Sequence, residues 1–306
     1  MLFIISLISF IAINLAPNSF FASGELNPNI TPEAIEELKA IYGLDKPLYI
    51  QFFSWIYSIL QLDFGISFTS GEKVKEEILS RIPITLTINI VSIILIFIIS
   101  LYFGIKSAMK KNSIFDRFTN QLSLLSFSMP SFYLALVLVL VFSIKFELFP
   151  IAGLHSVPND GSLNYYLDFA WHLVLPIFII VFGGIGSLIL YIRALTIEIL
   201  KSDYIFFARA RGLDNKKILR YYILPNLYPP VITLLGLSLP GVIGGSVILE
   251  TIFSIDGMGL LFYQSALSHD YPVIMGILII GAFLTLIGNM FADLILLKLN
   301  PNYNEK

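Results

Sequence analysis

The sequence has no cysteine, so no disulfide can brace an external segment and no thiolate is present as nucleophile or metal ligand. Charge is sparse as well: Asp, Glu, Lys and Arg make up 13% of 306 residues, too few for an ordinary soluble surface. The phosphate-binding pattern GxxxxGK[ST] is absent, so any ATP, with its Mg, is expected on another chain. Histidine is scarce. His155, His172 and His269 lack the HExxH spacing, and no zinc ligand set follows from them. No catalytic residue, metal or bound cofactor is assigned to this chain, and no nucleic-acid partner is expected.

What is present is apolar sequence. Hydrophobic residues reach 57%, with a mean hydropathy of +0.83, the composition of a chain that crosses a lipid bilayer several times. A span needs about 20 apolar residues. Runs at 84–102, 122–144, 171–192 and 229–249 satisfy this, and a fifth at 272–297 is interrupted by Asn289 and Asp293. The N-terminal run 2–16 would rise only about 22 Å as a helix, against a hydrocarbon core of about 30 Å. No basic n-region precedes it and no clear small-x-small site follows, so it is read as a first transmembrane helix rather than a signal peptide. The expected fold is all-α and polytopic, with six transmembrane helices in one domain over 1–306. The first helix falls in 1–16, an outer segment in 17–83 and a five-helix core in 84–306.

Orientation follows from Lys and Arg, which collect in short cytoplasmic loops. Lys106, Lys110, Lys111 and Arg117 follow the second helix; Arg193, Lys201, Arg209, Arg211, Lys216, Lys217 and Arg220 follow the fourth. Neither 146–170 nor 250–271 contains a Lys or Arg. Both termini are therefore expected in the cytoplasm. In the outer segment, Thr31 and Pro32 open a helix that Gly43 closes. A second amphipathic stretch aligns Leu48, Phe52, Trp55, Ile56, Ile59 and Leu60, suited to the lipid bilayer surface or to the bundle. A third, through Val74, Ile78 and Ile82, is expected to end at Pro83.

Some single residues invite a functional reading. Gly244-Gly245-Ser246 forms a G-x-S inside a span, yet no His or Lys is placed opposite as a base. Close helix contact through Gly241 and Gly245 accounts for these small residues. Ionisable groups inside spans are functional candidates. Asp293, five positions before Lys298, is expected to pair with Asn289 or a neighbouring helix, and Glu250 to sit at the outer interface. Pro130, Pro176 and Pro240 interrupt expected helices as kinks or hinges. Glu250, Asp293 and Pro130 are kept as candidates for a pathway or gate.

Residues 203–225 form a basic island with an ordered pattern. Asp203 is suited to cap a short helix, Ala208 and Ala210 to give it a narrow face, and Gly212 to end it; Lys216 to Tyr222 form a second piece that Leu224-Pro225 stops. Two short angled helices would make a rigid knob outside the membrane. Ala208, Gly212 and Leu224-Pro225 match the spacing of the EAA loop of ATP-binding-cassette importer permeases, with Phe206, Phe207 and Tyr222 as departures. Asp203, Tyr204, Ala208, Arg209, Ala210, Arg211, Gly212 and Leu213 resemble the form found in the dipeptide and oligopeptide branch. Further resemblance to the B-type subunit of that branch runs through 43–47, Asp63-Phe64-Gly65 with Ser67, 81–85 and 128–132. It continues in Arg193 with Glu198, in 250–253, 257–259 and 270–272, and in Asn289, Asp293 and the ending 299–301.

This resemblance implies a permease subunit that pairs with a second, similar permease, two ATP-binding subunits and an external substrate-binding protein, and that passes a peptide substrate through a prokaryotic inner membrane. It also implies that the 203–225 element seats in the ATP-binding subunit, with Gly212 allowing close approach and Arg209 or Arg211 forming ion pairs. A nickel or other solute importer of the same family is the alternative. A proton-driven secondary transporter would need buried carboxylates or repeats, and an intramembrane protease a second catalytic group facing Ser246.

Overall fold

The computed structural model describes residues 4, 6–8, 10–11, 46–238 and 246–299. The expected helix from Thr31 to Gly43, Pro240 and the Gly241/Gly245 pair lie outside the described residues. Within them the chain is helical, with one isolated antiparallel bridge between Ile66 and Lys73. The helices are α1 (Leu48–Leu60), α2 (Val74–Met109), α3 (Ile114–Ser128), α4 (Ser131–Leu138) and α5 (Leu163–Leu200). They continue with α6 (Asp203–Ala210), α7 (Asn215–Ile218), α8 (Leu224–Ser238), α9 (Val247–Ile252), α10 (Met258–Ser268) and α11 (Tyr271–Leu299). Wider π-helical turns follow α4 at Val139–Lys145 and α7 at Leu219–Ile223.

Three stretches among the described residues are long and apolar enough to cross a bilayer: α2, α5 and Tyr271–Phe291 of α11. A fourth is counted if α3 and the α4 segment are one span, bent by 99°. The single run expected at 122–144 is therefore divided. Pro130 has no N–H, and its ring drives Met129 into extended backbone (φ −88°, ψ 118°), so α3 stops and α4 restarts in a new direction. Pro83 behaves differently. The third amphipathic stretch does not end there but continues as α2, whose 36 residues rise about 54 Å, well beyond a hydrocarbon core of about 30 Å. Val74 and Ile78 are fully buried before Pro83, and Thr85 and Ile88 after it, so packing on both sides offsets the one lost backbone bond. Pro176 likewise sits buried inside an unbroken α5.

Small residues set the helix spacing. A Cβ on Gly104 of α2 would lie 2.8 Å from Ile192 of α5, and one on Gly186 of α5 would lie 2.5 Å from the Ser123 carbonyl of α3. The Ser126 hydroxyl donates to the Phe182 carbonyl across the same seam. Such close approach is how helices associate where water supplies no hydrophobic drive. The two largest apolar clusters among the described residues lie around Ile88, Leu173, Ile179, Leu249 and Phe253 and around Phe97, Ile192, Ile205, Ile223 and Leu227. Ile90, Ile94 and Ile98 instead form an exposed apolar stripe on α2, a composition suited to lipid contact.

At the basic end, one ion pair ties three helices. Arg193 of α5 donates from Nε to Asp116 Oδ1 at 2.7 Å and from Nη2 to Oδ2 at 2.9 Å; the Ser107 hydroxyl of α2 also donates to Asp116. Asp116 is buried and accepts from Asn112 N as well, so the carboxylate is saturated. Arg193 pairs with Asp116, and Glu198 is not its partner among the described residues.

Candidate functional site

The 203–225 element projects from α5 at the basic end, and its shape follows from local rules. Ser202 occupies the N-cap position and Asp203 the first turn of α6, so Asp203 favours the helix N-terminus through its charge rather than as the cap. At the far end Leu213 N donates to Ala208 O at 3.2 Å and Gly212 N to Arg209 O at 2.9 Å, the paired bonds of a Schellman motif. Gly212 holds φ at +80°, which a side chain disfavours, while a Cβ there would meet nothing within 4 Å of this chain. Its requirement within the chain is thus conformational. Asp214 then caps α7, accepting from Lys217 N at 2.9 Å.

Leu224-Pro225 does not stop the second piece. α7 passes through the π turn straight into α8, because Pro225 lacks an N–H and its ring crowds the Tyr221 carbonyl, so the preceding turn widens. Tyr204 and Tyr222 stack at 6.2 Å and fasten α6 to that turn.

α6 has two faces. Ile205 is 1% exposed and Ala208 2%, and Ile205 packs with Ile218, Ile223 and Leu227. Phe206 is 69% exposed and Phe207 61%, in edge-to-face contact with each other. Ala208 and Ala210 therefore do not share a narrow outward face: Ala208 points into the chain, while Ala210 is exposed beside Arg209 and Arg211. The arginines have no ion pair among the described residues. The outward surface is two aromatic rings flanked by two guanidinium groups.

The opposite end is built from contacts distant in sequence. Asp270 is buried and accepts from the Ser67 hydroxyl at 2.5 Å, Thr69 N at 3.0 Å and Phe68 N at 3.2 Å. Arg81 donates to Asp256 at 2.8 Å. Met258 N donates to the Thr85 hydroxyl at 2.9 Å, which donates in turn to Glu250 Oε1 at 3.3 Å, while Leu260 N donates to Glu250 Oε2 at 3.0 Å. Glu250 is thus buried rather than interfacial: the α9–α10 turn closes over it. A Cβ on Gly257 would lie 2.5 Å from its carboxyl oxygen. The segments 63–67, 81–85, 250–259 and 270–272 converge here.

The remaining candidates separate. Met129 and Ser131, either side of Pro130, line a cavity of about 390 Å³ with Asn89, Gly183 and Ser246. Ser246 caps α9, accepting from Leu249 N, which gives its hydroxyl a structural partner. Asp293 is exposed, and no pairing with Asn289 is formed among the described residues. One cluster has no spacing signal in the sequence: His155 and His172 approach the Asp168 carboxylate at 3.6 and 3.5 Å, and His155 stacks on Tyr165 at 3.8 Å. It fastens the connection before α5 onto that helix. Asp116 left a readable trace, since Ser113 three residues earlier marks a helix start amid basic residues.

Comparison with known proteins agrees with this architecture. The chain is 35% identical over 298 residues to the oligopeptide transport system permease protein AppB of Bacillus subtilis, covering 97% of this chain and 93% of that protein. It is 32% identical to the dipeptide transport system permease protein DppB of Lactococcus lactis, with 98% and 94% covered. It is 31% identical to the metal-staphylopine import system permease protein CntB of Staphylococcus aureus, with 91% and 85% covered. A solved structure titled for inward facing conformations of the MetNI methionine ABC transporter superposes with a TM-score of 0.58 at 17% identity, covering 73% of this chain and 96% of the other, a likeness of fold. Residues 1–89 match the N-terminal component of binding-protein-dependent transport system membrane proteins, and residues 97–305 match their inner membrane component. The chain therefore belongs to the family of binding-protein-dependent transport system inner membrane components, as a multi-pass transport permease.

Proposed function

We propose that the chain is one membrane-spanning half of an ATP-driven peptide importer and that 203–225 is its contact with an ATP-binding subunit. The observation that carries this reading is α6. Its inner face is buried in the chain's own core, whereas Phe206, Phe207, Arg209 and Arg211 are held rigidly outward. A rigid element of this kind transmits displacement. Closure of two ATP-binding subunits around Mg-ATP would draw two such elements together and tilt the attached helices. Nucleotide shifts that equilibrium only by its differential affinity for the two states. ATP hydrolysis then belongs to the partner chains, a second similar permease completes the pathway, and an external binding protein delivers the substrate. The charge pattern supports a cytoplasmic location for both termini.

Peptide as substrate rests on the relatives named for oligopeptide and dipeptide transport. CntB, named for metal-staphylopine import, supports an alternative in which a metal complex is carried. Uptake of labelled di- and oligopeptides, compared with labelled nickel complexes, in cells lacking or restored for this chain separates the two. Loss of peptide uptake alone supports the first reading. Co-purification of ATP-binding subunits with the chain tests the coupling assignment, and their absence from an otherwise intact preparation would refute it.

A further inference from the structure

A second groove opens at the basic end, between α2 and the 203–225 element. Its volume is about 520 Å³. Leu101, Ile105 and Met109 form one wall and Leu219 and Leu224 the other, so the trough is apolar. Lys106 and Lys110, one helical turn apart, stand at its rim. Neither lysine has a carboxylate within ion-pair distance among the described residues. The Lys106 ammonium donates to the Tyr102 hydroxyl at 2.6 Å and lies 4.7 Å from the Tyr102 and Phe115 ring centres. An ammonium has three donors, so this fixes its position and leaves donors for an anion. The nearby Asp214 carboxylate is turned to the backbone of its own helix start.

We propose that this groove binds one anionic phospholipid, with an acyl chain along the trough and the phosphate on Lys106 and Lys110. An apolar trough with an uncompensated cationic rim at one end matches a molecule that is apolar along its length and anionic at its head. A free anion would leave the trough unused. Basic pockets between helices on the cytoplasmic side of membrane proteins suit anionic headgroups. The assignment rests on the proposed orientation, which puts these lysines at the cytoplasmic leaflet. Because the two walls belong to α2 and to the coupling element, a bound lipid would steady that element against the bundle.

The test titrates the full-length chain, or its complex, after delipidation in detergent, counting retained lipid by native mass spectrometry. One phosphatidylglycerol per chain is expected to be held in preference to phosphatidylcholine. Lys106→Gln with Lys110→Gln should weaken phosphatidylglycerol roughly 30-fold, from the usual contribution of each basic residue near an anionic headgroup. Arginine at both positions should preserve it. Leu219→Trp, which fills the trough without changing charge, should also reduce retention. Undiminished phosphatidylglycerol binding by the double glutamine variant would overturn the proposal. So would displacement of the preference by inorganic phosphate, which would assign the rim to a free anion, or a photo-reactive residue at 109 that labels a second permease instead of lipid. The lipid count needs no ATP-binding partner, so a failure of the coupling assignment leaves it readable.

Discussion

At one end of the bundle, polar side chains reach across the chain: Thr85 to Glu250, Arg81 to Asp256 and Ser67 to Asp270 join residues 165, 175 and 203 positions apart. At the other end, the polar bonds of the 203–225 element are short in sequence, and its exposed arginines have no ion pair among the described residues. Both ends are ordered, by different means. The first uses its polar groups to close upon itself, whereas the 203–225 element, beside the buried Arg193–Asp116 pair, is fixed by apolar burial of Ile205, Ile218 and Ile223 and turns its polar and aromatic groups outward. That outward surface is the one proposed to receive an ATP-binding subunit.

Substitutions should separate the scaffold from the surface it presents. The largest effect is expected for Arg193→Met, which leaves the buried Asp116 without its cation and should cost about 4 kcal/mol. Thermal unfolding of the purified chain in detergent measures this, and wild-type stability would remove the ion pair from the scaffold. Asp270→Ala should follow at about 3 kcal/mol, since one hydroxyl and two backbone N–H groups lose their acceptor. Limited proteolysis between α1 and α2 should rise with it; unchanged cleavage would mean the two segments are held by something else.

Gly212→Ala is expected to be milder, about 1 kcal/mol, because alanine resists the positive φ although it has room. If close approach to a partner also matters, coupled ATP hydrolysis should fall much further than stability does. A proportional loss in both would assign Gly212 to the Schellman turn alone. The smallest stability change, within about 0.5 kcal/mol, is expected for Phe206→Ser with Phe207→Ser, because both rings are exposed. The same variant should capture ATP-binding subunits at least about tenfold less well, the direction expected for aromatic contact residues. Retained capture would move the contact to the arginines.

Legibility in the sequence tracked the range of the interactions. Within the 203–225 element the helix end at Gly212 was readable because its signal is local, whereas Asp203, read as the cap, lies one position inside the helix behind Ser202. The inward direction of Ala208 and the passage of helix through Leu224-Pro225 depended on what the element packs against. The break at Pro130 and the continuity at Pro83 show the same limit, since the two prolines carry one local signal and differ only in the packing around them. Glu250 was misplaced for a related reason. Its partners Thr85 and Leu260 come from two other segments, and no periodicity links them. Of the six expected spans, α2, α5, α11 and the bent α3–α4 pair lie within the described residues, whereas most of 2–16 and part of 229–249 fall outside them.

On the proposed assignment, α6 faces an ATP-binding subunit while the Ser67–Asp270 end faces away from it. The chain has no native cysteine, so single cysteines report without background. Phe207→Cys and Thr69→Cys, each tested for crosslinking to ATP-binding subunits in intact membranes, compare the two ends directly. An adduct from position 207 that changes with nucleotide is expected, and none from position 69. An adduct from position 69, or none from 207 in an assembled transporter, would contradict the assignment.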